Sequence, residues 1–389
     1  YVMCAVSTVL SSSGGIHFLV PTITAVHYFA SAENGWAQLL HPFIPDWLVQ
    51  KDPLALKGFY EGGAALELSR WAGQIAVWTG FLLVFSCATL CLVLILRKQW
   101  IEREHLPFPT VTLPLELARE RTPLLRDPLF WIATGATFGL TWWNTAALNL
   151  PTIPQFSLRG IDVTEVFANP PWNAMGRLKI TFFPFAIGIG YLLSTEVVFS
   201  CWFFYLFSKA QSVWGAAAGL TEGGTMAGQN VFPYLAYQGA GAFLGLALAS
   251  IWVSRRHLAE VFRSAFSESR SLDPEQRGHR AAVFGLIASV LALIAFSVAA
   301  GASLMVATVF VILVLVYLMA ATRLRAETGN AWPVGPEVDA FRLLTTVGGT
   351  AAYSTSDMTA LTYVRAATAG QDFRGVCMPH QLDGLKIAE

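Results

Sequence analysis

Two glutamates stand where acids are least expected. Glu196 sits near the middle of residues 180–208, a stretch that otherwise holds no Asp, Glu, Lys or Arg. If that stretch crosses a bilayer, an ionised side chain there costs at least ~2.5–3.5 kcal/mol on insertion scales. A carboxylate in a water-filled cavity, its pKa raised by desolvation so that it loads and releases a proton, is the functional answer. A protonated or hydrogen-bonded Glu that bridges two helices is the structural one. Glu222 stands in Thr221-Glu-Gly-Gly-Thr225, which is echoed by Thr346-Val-Gly-Gly-Thr350 and, more loosely, by Ser11-Ser-Ser-Gly-Gly-Ile16. Apolar segments broken by glycine mark the midplane site of repeat-built secondary transporters, although glycine also serves close helix packing. The candidate pathway is therefore Glu196 and Glu222 with Gly223, Gly224, Gly348 and Gly349. Asn144, Gln229 and Asn230 could hydrogen-bond a polar solute. His17 and Asp357, beside the other two glycine patterns, come third, with a structural role expected for each.

Other chemistries lack their residues. The seven His show no HxxxH or HExxH spacing, and Cys4, Cys87, Cys91, Cys201 and Cys377 include no CxxC pair, so neither a metal site nor a disulfide framework is indicated. No Walker A sequence and no GxSxG elbow occurs. An intramembrane enzyme needs paired acids or a His–acid cluster at one depth, and the carboxylates here are isolated. The chain is thus not expected to be an enzyme or to hold a cofactor.

The elements that must position these residues follow from composition. The chain is 54% hydrophobic and 13% charged, with 25 Lys plus Arg against 25 Asp plus Glu. Soluble domains run about 25% charged. Zero net charge gives no support to a general nucleic-acid surface, and the apolar excess excludes disorder. A bilayer-crossing helix needs roughly 20 apolar residues. Uncharged stretches cover 1–32, 71–96, 129–158, 223–254 and 281–322. The last is long enough for two helices joined at Gly301-Ala302-Ser303.

Charge sets orientation, because Lys and Arg resist translocation. Segment 97–128 holds Arg97, Lys98, Arg103, Arg119, Arg121 and Arg126, and segment 255–280 holds Arg255, Arg256, Arg263, Arg270, Arg277 and Arg280. These are expected as cytoplasmic loops, and the poorer segments 33–70 and 149–179 as external ones. Parity then requires residues 210–230 to cross, with a glycine-broken centre that predicts a discontinuous helix. Residues 341–364 form another weakly apolar segment interrupted at Gly348-Gly349. Trp71 and Trp100 flank one span, and Trp131, Trp202 and Trp252 lie near the ends of others, as in an interfacial belt. The expected fold is an all-α polytopic membrane bundle, a single transmembrane domain over 1–389 with about eight or nine crossings. The opening Tyr1 and the helix-like ending after His380 lead us to expect a longer polypeptide.

Arg97-Lys-Gln-Trp-Ile-Glu-Arg-Glu-His-Leu-Pro-Phe-Pro-Thr110, with the helical stretch that follows to Glu120, resembles the cytoplasmic loop of the oligopeptide transporter superfamily. Residues 194–206 and the tail 378–389 resemble uncharacterised bacterial membrane proteins associated with that group. The Asn-Pro-Gly and Lys-Ile-Pro-Pro motifs of its peptide-transporting members do not occur here. The resemblance implies a large helical bundle of two related halves that moves peptides or metal chelates with a cation gradient. The expected function is secondary active transport of a small polar solute coupled to protons or another cation. Lipid, solute and coupling proton are the expected partners, with a homo-oligomer or membrane complex possible and a bacterial inner membrane as the location. The alternative is a non-transporting structural subunit of a larger membrane assembly.

Overall fold

The computed structural model describes the chain except for residues 1–15, 64, 66, 119–123, 151, 157–159, 221–231, 268–273, 331–334, 369–372 and 389. The described residues are overwhelmingly helical; their strand content is one antiparallel pair, Ile161–Asp162 with Lys179–Ile180, which begins in the expected external segment 149–179 and ends one residue beyond it. The chain divides into two compact units.

Unit 1 comprises residues 1–106, 239–325 and 332–389. Its main elements are α1 (Ile16–Tyr28), α2 (Pro53–Glu61), α3 (Leu68–Arg97), most of α4 (Leu235–Ala265), α5 (Pro274–Ala299), α6 (Leu304–Thr328), α7 (Ala340–Gly348), α8 (Thr355–Ala367) and α9 (Cys377–Ala388). Among the described residues, four helical stretches are long and apolar enough to cross a membrane: Leu68–Arg103, α4, α5 and α6. α3 packs on α5, with Gly285 permitting the approach: a Cβ there would come within 2.8 Å of Cys91 Sγ. At one end Trp78, Phe81 and Phe296 form an aromatic cluster, and Trp78 Nε1 donates to Leu48 O at 2.9 Å. Toward the other, Ile95, Val261, Ala265, Ala282 and Val283 form an apolar core.

The expected hairpin within 281–322 is present, and α5 turns into α6 through residues 300–303, where Gly301 has φ +112°. The break at the second glycine pair is present too. α7 stops at Gly348, and Gly349, at φ +70°, takes a backbone that L side chains rarely adopt. A short 3-10 turn, Thr350–Ala352, then leads to α8, which opens with a capping box between Ser354 and Asp357.

Unit 2 comprises residues 107–238 and 326–331. It contains α10 (Pro109–Ala118), α11 (Pro128–Asn149), α12 (Pro184–Leu192) and α13 (Thr195–Ala217), numbered here after those of unit 1. Asp127 caps α11 by accepting from Leu129 N, with Pro128 at the first helical position.

Three expectations require correction. Residues 180–208 are not one continuous span: Leu193 and Ser194 take extended backbone, Ser194 caps α13 through Val197 N, and α13 runs on past Lys209 to Ala217. The basic segments are not simple loops. α3 continues into a π-helical turn, Lys98–Arg103, and α4 and α5 extend into 255–280 as far as Ala265 and back to Pro274, because apolar positions keep packing between the charges. Trp100 is no interfacial flank, since its indole is fully buried and its Nε1 donates to Ser250 Oγ at 3.3 Å. The expected discontinuity within 210–230 falls mainly on residues outside those described; on the described side, α13 ends at Ala217 and Gly219 adopts φ +72°.

Candidate functional site

Glu222, Gly223, Gly224, Gln229 and Asn230 lie outside the described residues. Of the remaining candidates, Asn144 and Glu196 belong to unit 2, and His17, Gly348, Gly349 and Asp357 to unit 1. Glu196 is exposed in the first turn of α13, where a carboxylate complements the helix dipole. Asn144 is half-buried on α11. Its Nδ2 donates to Phe156 O at 3.0 Å and its Oδ1 accepts from Phe156 N at 2.9 Å, which pins the following loop to the helix. His17 is exposed and edge-on to Phe18. Asp357 is buried and fully engaged: Oδ1 accepts from Ser303 N at 2.6 Å, and Oδ2 accepts from the backbone and hydroxyl of Ser354. It thereby ties the α5–α6 turn to the start of α8. At Gly348 a Cβ would come within 2.6 Å of Tyr353 Oη, whose hydroxyl donates to Leu344 O at 2.9 Å. That glycine lets the tyrosine cap α7.

The charged chemistry of unit 1 lies elsewhere. Arg323 and Arg325 are two residues apart on α6, about 200° around the helix, so they face opposite sides. Arg325 pairs with Asp383 of α9, with Nε at 3.0 Å and Nη2 at 2.9 Å from Oδ2, and the two side chains are only 4% and 1% exposed. Arg323 reaches Glu104 Oε2 at 2.7 Å and Ser250 Oγ at 3.2 Å. Gln99 Nε2 donates to Glu104 Oε1 at 2.9 Å, which closes a network over the π-helical turn, α4 and α6. A third pair joins Arg365 of α8 to Asp339, which also caps α7 through Arg342 N. Burying two ions costs several kcal/mol per ion, returned only when hydrogen bonds satisfy both. Beside the Arg325–Asp383 pair, His380 is buried on α9, and burial, reinforced by the Arg325 charge, pushes its pKa down to about 4.

A polar cavity of about 270 Å³ opens where the π-helical turn meets α4 and α5. Lys98 Nζ pairs with Glu275 at 2.5 Å across it, and Arg103 Nη2 with Glu260 at 3.0 Å. His257 is buried behind it, its Nε2 2.9 Å from Ile95 O, and the buried Ser264 Oγ has no hydrogen-bond partner among the described residues. No group of three or more His, Cys, Asp or Glu among the described residues is placed to hold a metal ion.

Sequence reasoning missed the three ion pairs. Asp383 stands 58 residues from Arg325, in a tail that reads only as a helix start, and Asp339 follows a loop marked by Gly335 and Pro336. The available signal was the repeated placement of arginine at an apolar helix end, Arg323-Leu-Arg325. No curated protein and no solved structure matches the chain. Over residues 1–389 it matches DUF6785, described as a family of unknown function, and the chain belongs to that family.

Proposed function

We propose that this chain is a secondary active transporter in a bacterial inner membrane, coupled to protons or another cation and carrying a small polar solute such as a peptide or metal chelate. One observation carries the reading: an Arg325–Asp383 pair almost wholly removed from water inside a unit built of membrane-length helices. Apolar side chains of similar volume pack as well or better than a buried ion pair, and ionisable groups within such helices mark ion and substrate pathways. Asp383 and Asp339 are then the coupling carboxylates. Each exchanges its arginine for a proton or for the solute as the carrier changes state. Glu222 keeps its place in the pathway on its glycine-flanked sequence, whereas Glu196 does not join the pairs.

On this reading α1, α11, α13 and the broken α7–α8 add crossings to the four long apolar stretches, for a total of about eight or nine, and the arginine-rich ends face the cytoplasm. The resemblance of residues 97–110 to the oligopeptide transporter superfamily supports it. The second reading is a non-transporting structural subunit. It is favoured by Asp357 and Asn144, both pathway candidates by sequence and both engaged in holding loops to helices.

The test is flux into proteoliposomes that contain a lumenal pH dye, under an imposed proton gradient, with a defined pool of di- to pentapeptides and with ferric citrate as separate probes. The transporter reading expects probe-dependent acidification that falls at least tenfold in Asp383→Asn and Asp339→Asn, with both variants still eluting as the wild type does in detergent. Acidification identical with and without probe, for a correctly reconstituted wild type, would leave the structural-subunit reading.

A further inference from the structure

The cavity at the end of α3 belongs to neither the ion-pair network nor the glycine breaks. Its geometry follows from the π-helical turn. In an α-helix residues five apart lie about 140° around the axis from one another, so Lys98 and Arg103 would face different sides. A π-helical turn closes its hydrogen bonds from i to i+5, which stacks those two positions on one face. Both cations consequently border the same 270 Å³ space, opposite the first turns of α5 and the outer end of α4.

Donor groups remain unused there among the described residues. Arg103 carries five N–H groups and uses one on Glu260; Lys98 carries three and uses one on Glu275. The Ser264 hydroxyl is unpartnered among the described residues, and the Gln276 amide and His279 ring also line the space. Arg97 is close enough to act electrostatically on both Glu275 and His279. Glu260 and Glu275 hold the cations apart and in position. A guest that shares those cations must be an anion with several acceptor oxygens arranged around a centre, which suits a tetrahedral oxyanion better than a planar carboxylate. The location adds to this, because three membrane-length helices end here, at the depth where headgroups gather on basic side chains.

We propose that this cavity binds a phosphate group, held by Lys98, Arg103, Ser264 and Gln276. The phosphate is either the phosphodiester of an anionic lipid or free inorganic phosphate. Binding requires the guest to share the cations with two carboxylates. Removing those carboxylates should tighten it, an effect that a purely structural pair of salt bridges does not produce.

The full chain, purified in a neutral detergent, is titrated with dioleoylphosphatidylglycerol against dioleoylphosphatidylcholine, and separately with sodium phosphate against chloride at equal ionic strength; bound probe is read by native mass spectrometry and by thermal shift. The expected result is selective retention of phosphatidylglycerol or phosphate, weakened at least tenfold in the double variant Lys98→Gln, Arg103→Gln and tightened severalfold in Glu260→Gln, Glu275→Gln. Retention of phosphatidylglycerol without a response to phosphate names the lipid headgroup as the source; a response to both names the free anion. If the cation variant does not fold, Ser264→Ala and Gln276→Leu replace it, each expected to weaken binding a few fold. Wild-type protein that retains neither probe, or variants that bind both probes as tightly as wild type, overturn the proposal. The uptake assay and its aspartate variants leave this cavity intact, so the two readings fail separately.

Discussion

Nine of the 30 residues of α3 are buried within unit 1, whereas α11, with 22, buries only Ala147, and α12 buries none. Both units draw on the same apolar residue types. In unit 1 the Arg325–Asp383 pair is dry, and α3 lays several of its large side chains against the rest of the unit. In unit 2 large side chains face outward: Phe138, Trp142, Phe204 and Trp214 are each at least 60% exposed. A helix apolar on every side is suited to a hydrocarbon surrounding. The contrast places the dry Arg325–Asp383 pair in unit 1 and leaves large apolar side chains of α11 and α13 exposed in unit 2.

The largest expected effect tests the dry charges. Asp383→Ala leaves the Arg325 guanidinium buried without its carboxylate and should cost about 3–5 kcal/mol of unfolding free energy, measured by chaotrope titration in detergent. The double change Arg325→Met, Asp383→Leu should restore most of that; an equal loss in the double variant would show that the burial itself, not the pairing, matters.

Next comes a pH effect confined to unit 1. His380 has a folded pKa of about 4 and an ordinary value of 6.5, lowered first by burial and then by Arg325. Between those values the unfolded chain binds the proton and the folded chain does not. Stability is therefore complete above about pH 6.5 and falls as pH drops toward 4, by roughly 3 kcal/mol in all. His380→Gln should flatten the thermal-shift profile across that window. A variant profile as steep as wild type would place the titration elsewhere.

The smallest effects compare glycines. In α5 of unit 1, Gly285→Ala drives a Cβ to 2.8 Å from Cys91 Sγ and should destabilise by about 1–3 kcal/mol. In α11 of unit 2, Gly139 has no atom within 4 Å of a built Cβ, and Gly139→Ala should stabilise by about 0.5–1 kcal/mol through helix propensity alone. Shifts of the same sign at both positions would erase the distinction between the units.

How much of this could be read from sequence depended on the range of the interaction. The α5–α6 hairpin was legible because Arg280 and Arg323 bracket an uncharged run with Gly-Ala-Ser at its middle. The break after α7 was legible because Gly348-Gly349 interrupts an apolar segment. The division of 180–208 was missed although Ser194 is a good N-cap residue, since long apolar runs mask local caps. Arg325 with Asp383, and Arg365 with Asp339, were not legible: helix packing chooses the partner, and neither spacing carries a period. Lys98 and Arg103 were read as loop charges because the density of basic residues marks 97–128 as a cytoplasmic segment, and only the wider turn brings the two together. Of the candidate site, Asp357 accepts from Ser303 N and Asn144 donates to Phe156 O, contacts between distant positions that no local pattern announces.

The two arginines on α6 make its end a strut bolted on both sides, to the α3 extension through Glu104 and to α9 through Asp383. Any rocking of α9 against α3 must shear one bolt or drag the strut along. Distance labels on α9 and on the turn after α3 would therefore report stepwise displacement, with arginine contacts exchanged as a set, and not a graded drift.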